Sequence, residues 1–338
     1  MSNSYASKLV LSMSIVMTLL LAACGGGAAA PASQPASKPA EPAKPAAEAP
    51  KPAAPAAQPP ASGAAAQPAA GAPAPAAKPS GLAKPTFPAG SAGAKIIERG
   101  KLISGMKFDV PLYGYQNPRT QEVEGFEADL ARELAGAMFG DPKKIEFIQT
   151  VSRNRIPHLK EGIVDVVIAT MTITKERLKE IEFSDVYYIS GQRFMVPDKS
   201  TISSAADMKG KKVAVAKGGT AEINVRKVQP EAQLLFFDSH AEEFEALQNG
   251  RADVMVSDES ILQGLLTKVT GYKIVGEYIS YEPYGIGIRK ENPEILEYTN
   301  KFVAEIKANG KWAEIHKKHL QGDPQIPPAK PDLDRVPN

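Results

Sequence analysis

The chain has 338 residues, a formal net charge of +2 and a single cysteine. The nearly balanced charge argues against a nucleic-acid-binding surface, because such surfaces are strongly basic. One cysteine excludes an intramolecular disulfide. Aromatic and β-branched residues are concentrated between positions 95 and 321, a length that can form one large domain or two small ones.

The first 24 residues have the layout of an export signal. Lys8 supplies a positive n-region, an apolar stretch covers positions 9–21, and small residues precede Cys24. The sequence Leu-Ala-Ala-Cys at 21–24 resembles the lipobox of bacterial lipoproteins, in which the cysteine is lipidated and becomes the mature N-terminus. This resemblance predicts a lipoprotein signal peptide over 1–24 and a lipid anchor at Cys24. An ordinary export signal with an incidental cysteine is the alternative.

Two segments of the chain have the composition of flexible polypeptide. Residues 25–94 consist almost entirely of Ala, Pro, Gly, Ser, Gln and Lys. Such a segment cannot bury a core that offsets its ordering entropy, so we expect a disordered linker that spaces the folded body from the membrane. A cell-wall-binding segment is the competing interpretation. The Pro-rich residues 322–338 are expected to form a flexible tail.

Between linker and tail, short apolar runs alternate with helical patterns. Positions 102–105 predict a strand, and Phe126, Leu130, Leu134 and Met138 recur every four residues on one face of a helix. Further strands and helices are predicted at 145–148, 156–159, 164–169, 212–216, 232–237, 242–248, 253–256 and 295–306. This alternation indicates an α/β fold with parallel sheets.

The body contains an internal repeat. Residues 159–169 match residues 247–257: each copy reads as the end of a helix, a glycine and then a buried strand. Two copies suggest two similar lobes, with chance similarity of helix–strand units as the alternative. Ligands of open α/β sheets bind beyond the carboxyl ends of the strands. Positions 169–172 and 257–258 are therefore predicted to form opposite walls of one cleft.

Five motifs occur in a fixed order along the body. They are Gly-Phe-Glu-Ala-Asp-Leu at 125–130, Ala-Thr-Met-Thr-Ile-Thr-Lys-Glu-Arg at 169–177, Ile-Glu-Phe-Ser-Asp at 181–185, Asp-Met-Lys-Gly-Lys at 207–211 and Tyr-Gly-Ile-Gly at 284–287. Together they resemble the bacterial extracellular solute-binding proteins of family 3, which bind polar amino acids for ATP-driven importers.

The resemblance implies a two-lobed periplasmic-binding-protein fold of type II, with a hinge of two crossovers. Lobe 1 would comprise 95–190 and 285–321, and lobe 2 would comprise 191–284. The implied protein is extracytoplasmic, closes about its hinge on a ligand, and is recognised in its closed form by a membrane permease.

The resemblance also implies ligand-binding residues on the first wall of the cleft. Arg177 matches the arginine that holds the ligand's α-carboxylate, and guanidinium–carboxylate pairs are bidentate and charge-assisted. Thr172 would add its hydroxyl and amide at the same end. The backbone of Ala169 and Thr170 would line the ammonium and side-chain region. Asp258, on the opposite wall, matches the carboxylate that holds the α-ammonium, although it could also cap the helix that follows it.

The second wall contains Lys217, Thr220 and Ala221, which follow a strand and open a helix. Backbone N–H groups at a helix N-terminus suit a carboxylate. A simple helix cap is the alternative.

Three further residues bear on which amino acid is bound. Ser152 and Arg155 resemble a segment of the glutamate/aspartate-binding branch, and Lys107 matches a lysine of that branch. Arg155 would pair with a side-chain carboxylate, with Ser152 donating beside it and Lys107 as a second cation. Surface positions for Arg155 and Lys107 are the alternative, and Arg153 is expected to face solvent. We therefore expect glutamate or aspartate, with glutamine or a basic amino acid as alternatives.

Other classes of function are less well supported by the sequence. The four histidines are scattered without metal-ligand spacing, and neither a G-x-S-x-G motif nor a P-loop occurs. We expect no enzyme activity, no metal and no cofactor. The same cleft could instead serve a sensor rather than an importer.

Overall fold

The computed structural model describes residues 81–337. The signal peptide, Cys24 and most of the predicted linker lie outside the described residues. Residues 81–94, assigned to the linker, belong to the folded body: helix α1 begins at Ala92, and the Phe87 ring packs edge-on against Tyr298 at 5.9 Å. The Oγ of Ser91 accepts a hydrogen bond from the amide of Ala94, and this cap starts the helix.

Helices and strands alternate through the described residues. The helices are α1 (Ala92–Arg99), α2 (Phe126–Phe139), α3 (Arg155–Lys160), α4 (Lys175–Glu180), α5 (Ala221–Val228), α6 (His240–Gln248), α7 (Glu259–Leu266), α8 (Pro293–Ala308) and α9 (Lys311–His319). The strands are β1 (Leu102–Met106), β2 (Asp109–Val110), β3 (Gly114–Gln116), β4 (Val123–Glu124), β5 (Ile145–Gln149), β6 (Val166–Val167), β7 (Glu182–Phe183), β8 (Tyr188–Ser190), β9 (Gln192–Pro197), β10 (Lys212–Ala216), β11 (Gln233–Phe237), β12 (Val254–Asp258), β13 (Tyr272–Val275), β14 (Glu282–Tyr284) and β15 (Gly287–Ile288). None of the helices in this part of the chain is long and apolar enough to cross a bilayer.

Two five-stranded sheets have the same layout. The first has the order β5-β1-β6-β15-β7, and the second has the order β11-β10-β12-β9-β13. In each sheet the first three strands are parallel and the fourth runs antiparallel to both of its neighbours. We call the bodies built on these sheets lobe 1 and lobe 2. The two copies of the sequence repeat supply β6 and β12, the central strands, so the expected α/β fold with two similar lobes is confirmed.

The chain passes between the lobes through a two-stranded antiparallel sheet. Strands β8 and β14 pair with Glu282 opposite Ser190 and Tyr284 opposite Tyr188. A small antiparallel sheet, β2-β3-β4, lies beside α2. The paired crossovers β8 and β14 form the hinge of a two-lobed fold, and motion about them changes the width of the cleft.

Apolar periodicity places the core of lobe 1. The α2 residues Phe126, Leu130, Leu134 and Met138 are all buried, as their spacing predicts. Residues 295, 299, 302 and 306 of α8 are buried in the same way. Trp312 is 1% exposed and donates its indole N–H to the carbonyl of Tyr187 at 2.7 Å, which fixes the chain just before β8.

The C-terminal segment, expected to be a loose tail, runs along lobe 1 towards the hinge. The Ala329 carbonyl accepts from the amide of Val186 at 2.8 Å, and the Arg335 guanidinium lies 4.4 Å from the ring centre of Tyr281. Lys307 donates to the carbonyls of Val186 and of residue 327. A Pro-rich segment has few N–H donors but many free carbonyls, and donors from lobe 1 satisfy some of these carbonyls.

Candidate ligand-binding site

The ends of β6 and β12 face each other across a cleft with about 310 Å³ of empty space, part of it open to solvent. This is the location that the repeat predicts. Eight of the eleven predicted ligand-binding residues line it: Ser152, Arg155, Thr170, Thr172, Arg177, Thr220, Ala221 and Asp258. The other three, Lys107, Ala169 and Lys217, lie behind it or at its rim.

The segment after β6 is held in a strained conformation. Thr170 has a φ of +45°, a backbone conformation that residues other than glycine rarely adopt. Its amide donates to Glu127 Oε1 at 2.7 Å, and the Tyr187 hydroxyl donates to the same oxygen at 2.5 Å. Burial raises the pKa of Glu127 to about 7, although these two hydrogen bonds act in the opposite direction. The buried carboxyl therefore secures the backbone that lines the cleft.

Arg155 is buried, and its hydrogen bonds go to main-chain carbonyls. Nε donates to Ser152 O at 3.1 Å, and Nη1 donates to Ala169 O and Thr170 O at 3.0 and 2.8 Å. Nη2 reaches Gly218 O in lobe 2 at 3.2 Å. Burial and the charge of Arg177 lower the pKa of Arg155 to about 9, which leaves it protonated at neutral pH. Arg155 is therefore not a surface residue, and Ala169 contributes a carbonyl behind the cleft.

Arg177 reaches the same lobe 2 carbonyl from the first turn of α4. The Thr174 Oγ caps this helix by accepting from the amide of Arg177 at 3.1 Å. The guanidinium donates to Thr172 O at 2.7 Å and to Gly218 O at 3.0 Å. Two guanidinium groups from lobe 1 thus converge on one oxygen of lobe 2.

Asp258 ends β12 at the N-cap position of α7, but its side chain makes no capping hydrogen bond. Instead, Oδ2 accepts from the Tyr284 hydroxyl at 2.5 Å and Oδ1 accepts from Gln192 Nε2 at 3.2 Å. The residue is 5% exposed and lines the cleft. Its carboxylate is therefore oriented by neighbouring side chains and not by the helix.

Lys217 lies at the rim and not in the cleft. Its Nζ is 2.8 Å from Asp238 Oδ1, and Arg153 of lobe 1 pairs with the same carboxylate. Arg153, expected to face solvent, therefore forms an ion pair between the lobes. Thr220 stands at the N-cap position of α5 without capping it, and Ala221 begins that helix.

Lys107 is buried directly behind Ser152. Its Nζ donates to Ser152 Oγ at 2.8 Å and lies 3.1 Å from His240 Nε2. Because the Lys107 ammonium can only donate, His240 Nε2 accepts its hydrogen bond. The proton of the imidazole is therefore on Nδ1, which donates to Glu243 Oε2 at 2.6 Å. Burial and the charge of Arg155 lower the pKa of Lys107 to about 8. Lys107 is an inner residue of the site and not a surface residue.

The sequence did not single out four residues that complete the site: Glu127, Gln192, His240 and Glu282. His240 follows the carboxyl end of β11, which is where ligands bind in α/β sheets, so its position could have been inferred. Glu127 lies within the 125–130 motif. Gln192 lies just beyond hinge strand β8 and Glu282 begins hinge strand β14, and neither has a local sequence signal. Within residues 81–337 no group of His, Cys, Asp and Glu side chains is suited to hold a metal ion.

The paired sheets, the two-stranded hinge and the charged cleft define a two-lobed solute-binding protein. Residues 102–322 match the family model of the bacterial extracellular solute-binding proteins, family 3, and the chain belongs to that family. Its relatives include proteins that serve ABC transporters for amino acids.

Two curated relatives and one solved structure illustrate the similarity. The ABC transporter glutamine-binding protein GlnH of Bacillus subtilis is 40% identical over 68% of this chain and 85% of its own length. The glutamate/aspartate import solute-binding protein of Salmonella typhimurium is 30% identical over 66% of this chain and 78% of its own length. The crystal structure of the P235GK mutant of ArgBP from T. maritima matches with a TM-score of 0.63 and 33% identity, over 68% of this chain and 98% of that one.

Proposed function

We propose that this chain is an extracytoplasmic receptor that closes on an acidic amino acid, glutamate or aspartate, and delivers it to the permease of an ATP-driven importer. One observation carries the proposal: Arg155 and Arg177 converge from lobe 1 on the Gly218 carbonyl of lobe 2, with Asp258 on the opposite wall. A cleft with two guanidinium groups facing one carboxylate complements a molecule with two negative groups and one positive group.

The α-amino-acid end of the ligand is assigned to Arg177 and Asp258. Arg177 already donates to a neutral carbonyl across the cleft, and a ligand carboxylate is a stronger acceptor for the same N–H groups. Asp258 offers two oriented oxygens at the far wall. These groups recognise the part that all α-amino acids share, so they supply affinity without selecting among side chains.

Selectivity for the side chain is assigned to Arg155, Lys107, Ser152 and His240. The hydrogen bonds of Arg155 end on neutral carbonyls, and Lys107 donates to a hydroxyl. The hydrogen bonds of both cations thus end on neutral acceptors, which supports an anionic ligand group near Arg155. Lys107 also has the carboxylates of Asp109, Glu243 and Glu127 around it. Truncating one partner of a buried charge pair costs about 2–5 kcal/mol, so an uncharged ligand is expected to bind more weakly.

Glutamine is the second candidate, and a specific observation favours it. The glutamine-binding protein of B. subtilis is more similar to this chain than the glutamate/aspartate-binding protein of S. typhimurium. In addition, Arg155 has most of its N–H groups satisfied within the protein, so one amide oxygen could complete its set. The positive charges of Arg155 and Lys107 therefore favour a side-chain carboxylate, but the hydrogen bonds of Arg155 can be completed by a side-chain amide as well.

The proposal includes the membrane anchor. The lipobox-like Leu-Ala-Ala-Cys would attach Cys24 to lipid, and residues 25–80 would space the receptor from the bilayer. Lobe 1 (81–190 and 285–321) would carry most of the side-chain pocket, and lobe 2 (191–284) would close over it and add His240. Mass spectrometry of the mature N-terminus tests this part, because acylation of Cys24 adds the mass of its fatty-acid chains.

The ligand is tested with the full chain carrying Cys24→Ser, screened against the twenty amino acids by thermal shift and then by calorimetry. Ligand at a hundredfold excess over Kd adds about 2.7 kcal/mol to the free energy of unfolding, so the expected shift is large. Arg177→Ala should abolish binding of every amino acid, whereas Arg155→Gln should mainly weaken acidic ones. Arg119→Ala, at an exposed arginine, is the matched control. Tighter binding of glutamine than of both acidic amino acids would favour the second candidate, and no shift with any amino acid would refute the receptor function.

A further inference from the structure

Glu282 lies in hinge strand β14 and is fully buried. Its carboxylate accepts hydrogen bonds from both lobes. On the lobe 1 side, Thr172 Oγ1 donates to Oε2 at 2.5 Å. On the lobe 2 side, Thr220 Oγ1 donates to Oε2 at 2.9 Å and Asn224 Nδ2 donates to Oε1 at 3.0 Å. A single hinge side chain thus joins two cleft-lining residues that belong to opposite walls.

The hydrogen-bond network fixes the direction of these hydroxyl groups. Gln192 Nε2 donates to Thr220 Oγ1 at 2.8 Å, and Gln192 Oε1 accepts from Asn224 Nδ2 at 2.9 Å. Thr220 therefore accepts from Gln192 and has its one proton left for Glu282. A hydroxyl has a single O–H. Because the hydroxyls of Thr172 and Thr220 both donate to Glu282, they can only accept hydrogen bonds from a ligand.

We propose that Glu282 is a positioning residue that ties the two lobes together in the closed form and turns the hydroxyls of Thr172 and Thr220 into acceptors towards the cleft. This inference rests on the proposed function and refines it. The ligand's α-ammonium group, and not its α-carboxylate, contacts these oxygens. The α-carboxylate is held by N–H donors such as Arg177. This assignment differs from the sequence-based expectation, which places the Thr172 hydroxyl at the carboxylate end.

The surroundings of Glu282 make this arrangement sensitive to protons. The charged groups that face it are Asp258 at the end of β12 and Arg177 on α4. Burial and the negative charge of Asp258 raise the pKa of Glu282 to about 7. Its neutral neighbours are Thr172, Thr220, Asn224 and Ser280. A protonated Glu282 has an O–H of its own, and it then no longer requires both hydroxyls to donate.

The test compares the wild-type chain with Glu282→Gln, which keeps the shape but replaces one acceptor oxygen with a donor. Glu297→Gln, at an exposed acid on α8, is the matched control for the change in net charge. Calorimetry with L-glutamate, L-aspartate and L-glutamine is run at pH 6, 7 and 8. We expect Glu282→Gln to weaken binding at least tenfold for each amino acid that the wild type binds. We also expect a flatter pH profile than in the wild type and in Glu297→Gln.

A double-mutant cycle separates positioning from general packing. If Glu282 acts through the hydroxyl of Thr172, the losses in affinity from Glu282→Gln and Thr172→Val are strongly non-additive. Rescue of binding is expected in Thr172→Ser, which retains the hydroxyl. Additive losses, or wild-type affinity and pH profile in Glu282→Gln, would overturn the proposal.

A measurement without ligand keeps the proposal distinguishable from the proposed function. Spin labels are placed on lobe 1 at Lys143→Cys and on lobe 2 at Lys227→Cys, in the full chain with Cys24→Ser. Electron–electron distance measurements should give a longer and broader interlobe distribution for Glu282→Ala than for the wild type. If the wild type binds no amino acid, the receptor function fails while this readout still decides the role of Glu282. Identical distributions would refute the interlobe tie.

Discussion

Replacing Glu127 tests whether this buried carboxyl beneath the cleft makes the free energy of unfolding depend on pH. Glu127 is fully buried, and burial raises its pKa from 4.5 to about 7. The folded state therefore binds a proton that the unfolded chain has released across this window. The free energy of unfolding consequently falls as pH rises from 4.5 to about 7, and the stabilising contribution is fully present only below 4.5.

The size of the effect follows from the pKa. A rise from 4.5 to about 7 corresponds to about 3 kcal/mol in total, of which about 2 to 3 kcal/mol is lost between pH 5 and pH 8. Glu127→Gln has no proton to release, so its loss of stability across this range should be smaller by that amount. The amide also places a donor where Glu127 Oε2 has no hydrogen-bond partner among the described residues. That cost of about 1 kcal/mol is independent of pH, so it cancels from the comparison.

Urea denaturation at pH 5 and pH 8, followed by the fluorescence of Trp312, measures the difference. Trp312 is the only tryptophan and it is buried, so its signal reports the unfolding of lobe 1. Glu297→Gln serves as the control, because Glu297 is exposed and its pKa is lowered by Lys301. Equal pH dependence in wild type and Glu127→Gln would refute the reasoning that burial dominates the ionisation of this carboxyl.

Three shorter predictions concern closure and the C-terminal segment. Gly218→Ala should weaken ligand binding at least tenfold, because a Cβ there would lie 2.6 Å from the Cα of Arg153 in the other lobe; Gly210→Ala, with a similar positive φ and open space around it, should not. Asp238→Asn should raise the ligand dissociation rate in stopped-flow measurements by up to about fivefold, since half-exposed ion pairs contribute at most about 1 kcal/mol. Lys307→Met should lower the free energy of unfolding by about 1 to 3 kcal/mol in urea, because two carbonyls lose their donor.

The sequence predicted those features that depend on local periodicity. The α2 stripe and the buried central strands follow from spacing within a single element, and the repeat follows from comparing two such helix–strand units; all three are present. The position of the cleft followed as well, because parallel strands place their carboxyl ends at one edge. Composition is a weaker guide: the Ala-rich sequence around Ala92 predicts linker, whereas Ser91 caps the N-terminus of a helix there.

Features that depend on pairing between strands far apart in the chain cannot be predicted from the sequence alone. The sequence predicts Lys217 in the cleft because this residue precedes a helix N-terminus. In the sheet, however, Ala216 stands beside Phe237, so the next residues along each strand, Lys217 and Asp238, meet at the rim. Glu282 reaches Thr172 across 110 positions of sequence. No periodic pattern encodes such a contact, because it arises only when the hinge strands pair.

The same buried carboxyls bear on the choice between glutamate and glutamine. At low pH, neutral Glu127 and Glu282 leave the cleft with two arginines and Lys107 against Asp258, which is an excess of positive charge. As pH rises past about 7, both carboxyls ionise, and Lys107, with a pKa of about 8, begins to lose its proton. A unit charge about 10 Å away contributes about 1.7 kcal/mol at an effective dielectric constant of about 20. The ratio of the glutamine Kd to the glutamate Kd is therefore expected to fall by about tenfold or more from pH 6 to pH 8 in calorimetry. A constant or rising ratio would mean that these carboxyls do not act on the ligand's side chain.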